Sequence, residues 1–284
     1  MTPTAVRLLK GAIILLAFGP ILVEWVGFAG VVARINYCLL VPFLALILAR
    51  QGWRNSEPLP SPAESSTIAG YLCLGCSGAL LIVGSLSGIF TLSIAGFPLA
   101  VLGWVGLNWG TAGLFRMRYA LLMLFAMVPF PLPLLDYATP TMVRTSGAAA
   151  AAFVSPFDPT STWVGSNLTY NGWTLHVAEA CSGSGTLLVL GSLTLFMAGL
   201  FRMRAVAIVV TLLLVTPITI VINGLRIAVM AWVLDGFGIE AVTGTGHEIL
   251  GQGVVIAGAA ALAVGVDRVT SMVARWRSKQ EAKA

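Results

Sequence analysis

Charged residues are so rare in this chain that its sequence falls into long apolar runs, and that spacing constrains the fold more than any other feature. Read between charges, the runs cover residues 11–32, 35–49, 67–86, 94–115, 119–135, 181–201, 205–234 and 248–266. A helix needs about 20 apolar residues to cross the hydrocarbon of a bilayer. The second run is short and holds Pro42, so it either spans or turns back within the membrane. Only 10% of the 284 residues are charged, 58% are hydrophobic and the mean hydropathy is +0.93. A soluble domain carries about 25% charged residues and has too little interior to hide so much apolar side chain. Intrinsic disorder, a collagen-like chain, a disulfide scaffold and a nucleic-acid binder are excluded on the same grounds. The expectation is an all-α integral membrane protein: one polytopic domain over residues 1–284, a bundle of about eight transmembrane helices.

The basic residues orient that bundle. Thirteen of the sixteen lysines and arginines fall in the segments that eight spans would leave on one side. Basic residues collect in cytoplasmic loops, so both termini are expected in the cytoplasm, and the net charge of +5 needs no polyanionic partner. The heptapeptide AGLFRMR occurs twice, at 112–118 and 198–204, each time as a stop signal closing an inward-running span. Residues 136–180 are the one long stretch left outside, expected to form a small periplasmic cap. Pro129, Pro131 and Pro133 end the fifth run ahead of it. Within it, 146–153 is Ala-rich and reads as a short helix. Asn171-Gly172 between the β-prone runs 168–170 and 173–177 is a strong β-hairpin signal.

Few polar side chains interrupt the apolar runs, and those that do converge on the outer face. Cys181 opens the sixth run within Glu179-Ala180-Cys181-Ser182-Gly183. A helix N-terminus lowers a thiol pKa, while Gly183 and Gly185 equally suit close helix packing around an inert cysteine. Arg226 lies about 21 residues, or roughly 30 Å, along the seventh run, near the outer boundary of the hydrocarbon. An intramembrane arginine points to function; the structural alternatives are snorkelling to the interface or a pair with Glu24. Asn223 precedes it by three residues and shares its helix face. His247 stands at the outer start of the eighth run, beside Glu248; the other histidine, His176, lies in the hairpin. A thiol, a guanidinium and an imidazole at one membrane face are the parts of an acyl-transfer site.

Glu179-Ala180-Cys181-Ser182-Gly183, Asn223-Gly224-Leu225-Arg226-Ile227 and His247-Glu248-Ile249-Leu250-Gly251 together resemble the signature of the exosortases and archaeosortases, polytopic cysteine transpeptidases or proteases. The likeness runs from about Tyr119 to the C-terminus. Many members follow Cys-Ser-Gly with an aliphatic residue and an arginine, where this chain has Ser184 and Gly185. The resemblance implies an enzyme of the cell (inner) membrane with its active site on the external face. Its partners would be exported proteins with a C-terminal sorting signal: a Pro-containing motif, a transmembrane helix and a basic tail. Cys181 would form a thioester with the substrate, Arg226 would stabilise the oxyanion and His247 would move protons. Glu179, Ser182 and Asn223 would position these groups or the substrate. No metal or organic cofactor is implied.

Two other classes compete. Polytopic bundles with Gly- and Pro-broken spans often transport, but a transporter gathers its polar groups near the midplane. Cys73 and Cys76 form a Cys-x-x-Cys on one helix face, as a membrane thiol oxidoreductase would. That pair, however, falls in the cytoplasmic third of its span, away from the oxidising compartment.

Overall fold

The computed structural model describes residues 2–54, 64–177 and 183–243, with scattered helical positions between 249 and 275. The chain divides into two compact units, residues 1–131 and 132–284.

Among the described residues, every regular element of the first unit is a helix. Thr2 caps α1 (Pro3–Val31), its hydroxyl accepting from the Ala5 amide at 3.3 Å, and Pro3 supplies a preset φ at the helix start. A 3-10 turn, Ala33–Leu40, leads into α2 (Val41–Arg54), so the doubtful second run becomes a continuous apolar stretch, Arg34–Arg54. Helices α3 (Glu64–Ser87) and α4 (Phe90–Phe125) then pack through small residues. A Cβ on Gly103 would stand 2.9 Å from the Gly70 carbonyl oxygen, and the Ser77 hydroxyl donates to the Gly96 carbonyl at 2.8 Å. Lipid offers no hydrophobic gain for helix association, so close backbone approach and buried hydrogen bonds hold such pairs together. Leu16, Val23 and Leu86 remain exposed, the side chains expected to face acyl chains.

The break between the fourth and fifth runs is not where the charges suggest. Arg116 and Arg118 sit inside α4, and the chain leaves helical geometry at Gly110 (φ 62°, ψ −160°). Arg, Met and Leu all favour helix, whereas a left-handed φ is cheap only for glycine. The fifth run is likewise not one helix: α4 ends at Phe125, and residues 126–131 turn through the first two prolines.

The second unit opens with α5 (Leu132–Val154), 23 residues long where only 146–153 read as helical. Pro133 falls in its first turn, where its missing N–H costs nothing. The Thr139 and Thr145 hydroxyls bond back to the Leu135 and Thr141 carbonyls, satisfying polar side chains that obscure the helix in the sequence. Three short strands follow, β1 (Thr162–Val164), β2 (Asn167–Tyr170) and β3 (Trp173–His176), antiparallel in the order β1-β2-β3. The expected hairpin is present: Asn171 (φ 46°) and Gly172 (φ 80°) both take the left-handed conformation of a two-residue turn. Asp158 pins it, accepting from the Asn171 amide at 2.9 Å and from the Thr160 amide and hydroxyl at 2.9 and 2.6 Å. The Asn171 side chain donates to Asp235 at 2.9 Å, tying the turn to α7 (Ala205–Phe237).

Helix α6 (Ser184–Leu200) is a shorter apolar helix, and a 3-10 turn, Ile239–Val242, follows α7. The core of this unit joins Val143, Ala150 and Val154 of α5 to Leu168 and Tyr170 of β2 and to Ile227, Ala228 and Ala231 of α7. Among the described residues, five helices are long and apolar enough to cross a membrane. The class is therefore all-α and membrane-embedded, with a small sheet. The eighth expected span, 248–266, lies largely outside the described residues.

Candidate functional site

Helix α7 carries the two site residues that can be described. Asn223 is 1% exposed and Arg226 is half-buried, one turn further on. Gly224 between them allows α7 to sit tightly on α5: a Cβ there would stand 2.6 Å from that of Ala149 and 3.0 Å from the Ser146 carbonyl oxygen. The glycine of the Asn-Gly-x-Arg motif is thus a packing requirement. Glycine fixes the depth of the helix, and its neighbours project beside the contact.

Glu179, Cys181, Ser182 and His247 lie outside the described residues. The described chain resumes at Gly183, two residues after Cys181. Gly183 has φ +85°, and a Cβ on it would stand 3.0 Å from Asn223 Cγ. Both facts call for glycine here: the backbone is left-handed, and the Asn223 amide occupies the space a side chain would need. The Gly183 carbonyl then accepts from the Leu187 amide at 2.9 Å, starting α6. Residue 183, two positions after Cys181, therefore rests against a side chain one turn from Arg226.

His176 is exposed at the end of β3, with Nδ1 2.9 Å from Asn167 Oδ1 and 3.3 Å from Ser166 Oγ. Those contacts brace the hairpin. Cys73 is half-buried and Cys76 exposed on α3, and both are free thiols.

A pocket of about 210 Å³ opens between β3, α7 and the 3-10 turn after it. Its lining includes Thr174 and Val177 from β3 and its end, Ile227 and Met230 from α7, and Val242 and Thr243 from the 3-10 turn and just after it. These residues flank all three motifs in the sequence. Val177 is four residues before Cys181, Ile227 follows Arg226, and Thr243 is four residues before His247. Sequence reasoning did not find the pocket, and only the Asn-Gly hairpin signal, which fixes β3, bears on it.

A family model described as transmembrane exosortase matches residues 31–265, a stretch that includes Glu179, Cys181, Ser182, Asn223, Arg226 and His247. No curated protein and no solved structure matches the chain.

Proposed function

Because the chain belongs to the transmembrane exosortase family, we propose that it is a multi-pass membrane cysteine transpeptidase or protease that processes C-terminal sorting signals of exported proteins. The reading comprises a single polytopic domain of about eight spans in the cell (inner) membrane, both termini cytoplasmic, with residues 136–180 as an external cap beside the active site. The substrate's Pro-containing motif lies just outside the bilayer, ahead of its own apolar helix and basic tail.

In this reading the Cys181 thiolate adds to the scissile carbonyl carbon. The developing oxyanion is met by the Arg226 guanidinium, a planar and permanently charged donor. The tetrahedral intermediate collapses, His247 protonates the departing amine, and the C-terminal tail leaves behind a thioester. An acceptor amine or water then attacks the thioester, giving its proton to His247 and restoring the thiolate. Glu179 and Ser182 flank the nucleophile, and Asn223 holds the backbone just after it.

The observation that carries the reading is the contact of Gly183 with Asn223, which couples the cysteine motif to the arginine motif through packing. A transporter gives no reason for a left-handed glycine pressed on that asparagine. The test is processing of an exported reporter ending in a sorting signal from the source genome. Cys181→Ala abolishes processing, while the Cys73→Ala/Cys76→Ala double variant retains it. Loss in the double variant with retention in Cys181→Ala would instead favour the thiol oxidoreductase.

A further inference from the structure

Strand β3, like β1, is an edge of the three-stranded sheet, and among the described residues only β2 pairs with it. The register fixes which backbone groups face outward. In a two-residue hairpin the residues flanking the turn, Tyr170 and Trp173, exchange hydrogen bonds, and bonded pairs alternate from there. Leu175 therefore bonds to Leu168, and the Val177 amide donates to the Ser166 carbonyl at 2.8 Å, in keeping with that alternation. The N–H and C=O groups of Thr174 and His176 point the other way. Among the described residues nothing hydrogen-bonds to them. They border the 210 Å³ pocket whose other walls are Ile227, Met230, Val242 and Thr243.

An apolar slot along a row of unused backbone donors and acceptors is complementary to an extended peptide. Main-chain bonds supply the affinity in such an addition, and alternate side chains supply the specificity. The volume is below the ~300–1,000 Å³ usual for small-molecule sites, and suits one or two side chains of a peptide. We infer that the segment of the sorting signal just ahead of the scissile bond binds as an added strand along β3, bonding to the backbone of Thr174 and His176 and placing one side chain in the slot. This rests on the proposed function, because the same chain must then reach Cys181.

Strand addition also limits where the substrate tolerates proline. Only alternate residues of an added strand donate to their neighbour, so prolines fit at positions two apart and not between them.

The experiment uses the full-length protein and the same reporter. Thr174→Pro removes an outward N–H but no bond within the sheet, and Val242→Trp fills the slot from the 3-10 turn. Each raises the half-saturating reporter concentration, Thr174→Pro by about 3–10-fold. A proline scan of the reporter's recognition segment against the unmodified protein needs no altered enzyme, and its tolerance alternates with period two. A photoreactive residue at position 174 crosslinks to the reporter. Cys181-dependent processing with a proline tolerance that lacks the period, or a crosslink to a second copy or to the chain itself, overturns strand addition while sparing the catalytic reading. Processing that persists in Cys181→Ala overturns both.

Discussion

The two units solve the same problem, hiding polar backbone in an apolar chain, by different means. The first buries almost nothing but helix against helix. Gly70, Gly84, Gly96 and Gly103 bring α3 and α4 to near backbone contact, and its few buried polar groups are spent on packing, as Ser77 is on the Gly96 carbonyl. The second adds a sheet, an edge strand beside a pocket, and a buried asparagine one turn from an arginine. Every candidate site residue falls in this unit. The difference teaches that glycine serves two ends here. In both units it sets distances between helices, as Gly224 does between α7 and α5, whereas Gly183 also takes a left-handed turn against Asn223.

Substitutions that separate chemistry from stability test that contrast. The largest effect is expected at Arg226. Lysine keeps the charge but loses the donor fork, so Arg226→Lys accumulates normally while acyl transfer slows by roughly 10²–10³-fold, as for loss of an oxyanion donor. Unprocessed reporter co-purifies with the variant. Reporter processing at the unmodified rate would reduce the arginine to an interfacial anchor.

The reverse pattern is expected at Gly103. A valine there meets the Gly70 carbonyl oxygen and Leu74, an overpacking that costs about 1–3 kcal/mol. Thermal unfolding in detergent shifts down and less protein accumulates, yet turnover per folded molecule is unchanged. A turnover defect that outweighs the loss of folded protein would erase the division of labour between the units.

The smallest effect concerns the hairpin. The Thr160 hydroxyl first, then the Asn171 and Thr160 amides, bond the charged form of Asp158 and hold its carboxyl below the ordinary carboxylate value. A depressed carboxyl stabilises the fold above its unfolded pKa of ~3.9, and that contribution is lost as pH falls through the lower folded value. Asp158→Asn therefore lowers the melting temperature at pH 7, and the gap to the unmodified protein closes below about pH 4. An unchanging gap across that range would assign the effect to geometry alone.

Much of this architecture was legible because apolar run length and glycine chemistry act locally. The runs at 67–86 and 205–234 coincide closely with α3 and α7, the run at 11–32 ends with α1, and Asn171-Gly172 marks the hairpin without reference to the rest of the chain. The repeated heptapeptide shows where locality ends. At 112–118 all seven residues are helical, with the Arg118 guanidinium stacked 4.1 Å from the Phe115 ring centroid. At 198–204 the same residues end a helix: Arg202 turns left-handed (φ 49°), and the Met203 amide reaches back to the Ala198 carbonyl at 2.9 Å. Identical residues, each with the same helix propensity, take two conformations because their surroundings differ. After the first copy Ala120, Leu121 and Met123 are buried and continue the helix; after the second, Ala205 and Val206 start a new one with both side chains exposed. The part of α5 ahead of residue 146 escaped sequence reading for the opposite reason, since its threonines satisfy themselves against their own helix and need no polar surroundings. That Asn223 and Arg226 stand one turn apart on a single helix was legible from spacing. The fit of Gly183 against Asn223 was not, because it depends on how α6 begins beside α7.

The central claim is that Cys181 carries the substrate's acyl group. The most direct measurement is to quench the unmodified protein in acid during turnover of the reporter and determine its intact mass. The account predicts an adduct equal to the reporter less its C-terminal tail, attached at Cys181, released by hydroxylamine and absent from Cys181→Ala. Turnover with no covalent adduct, or an adduct that survives in Cys181→Ala, would contradict it.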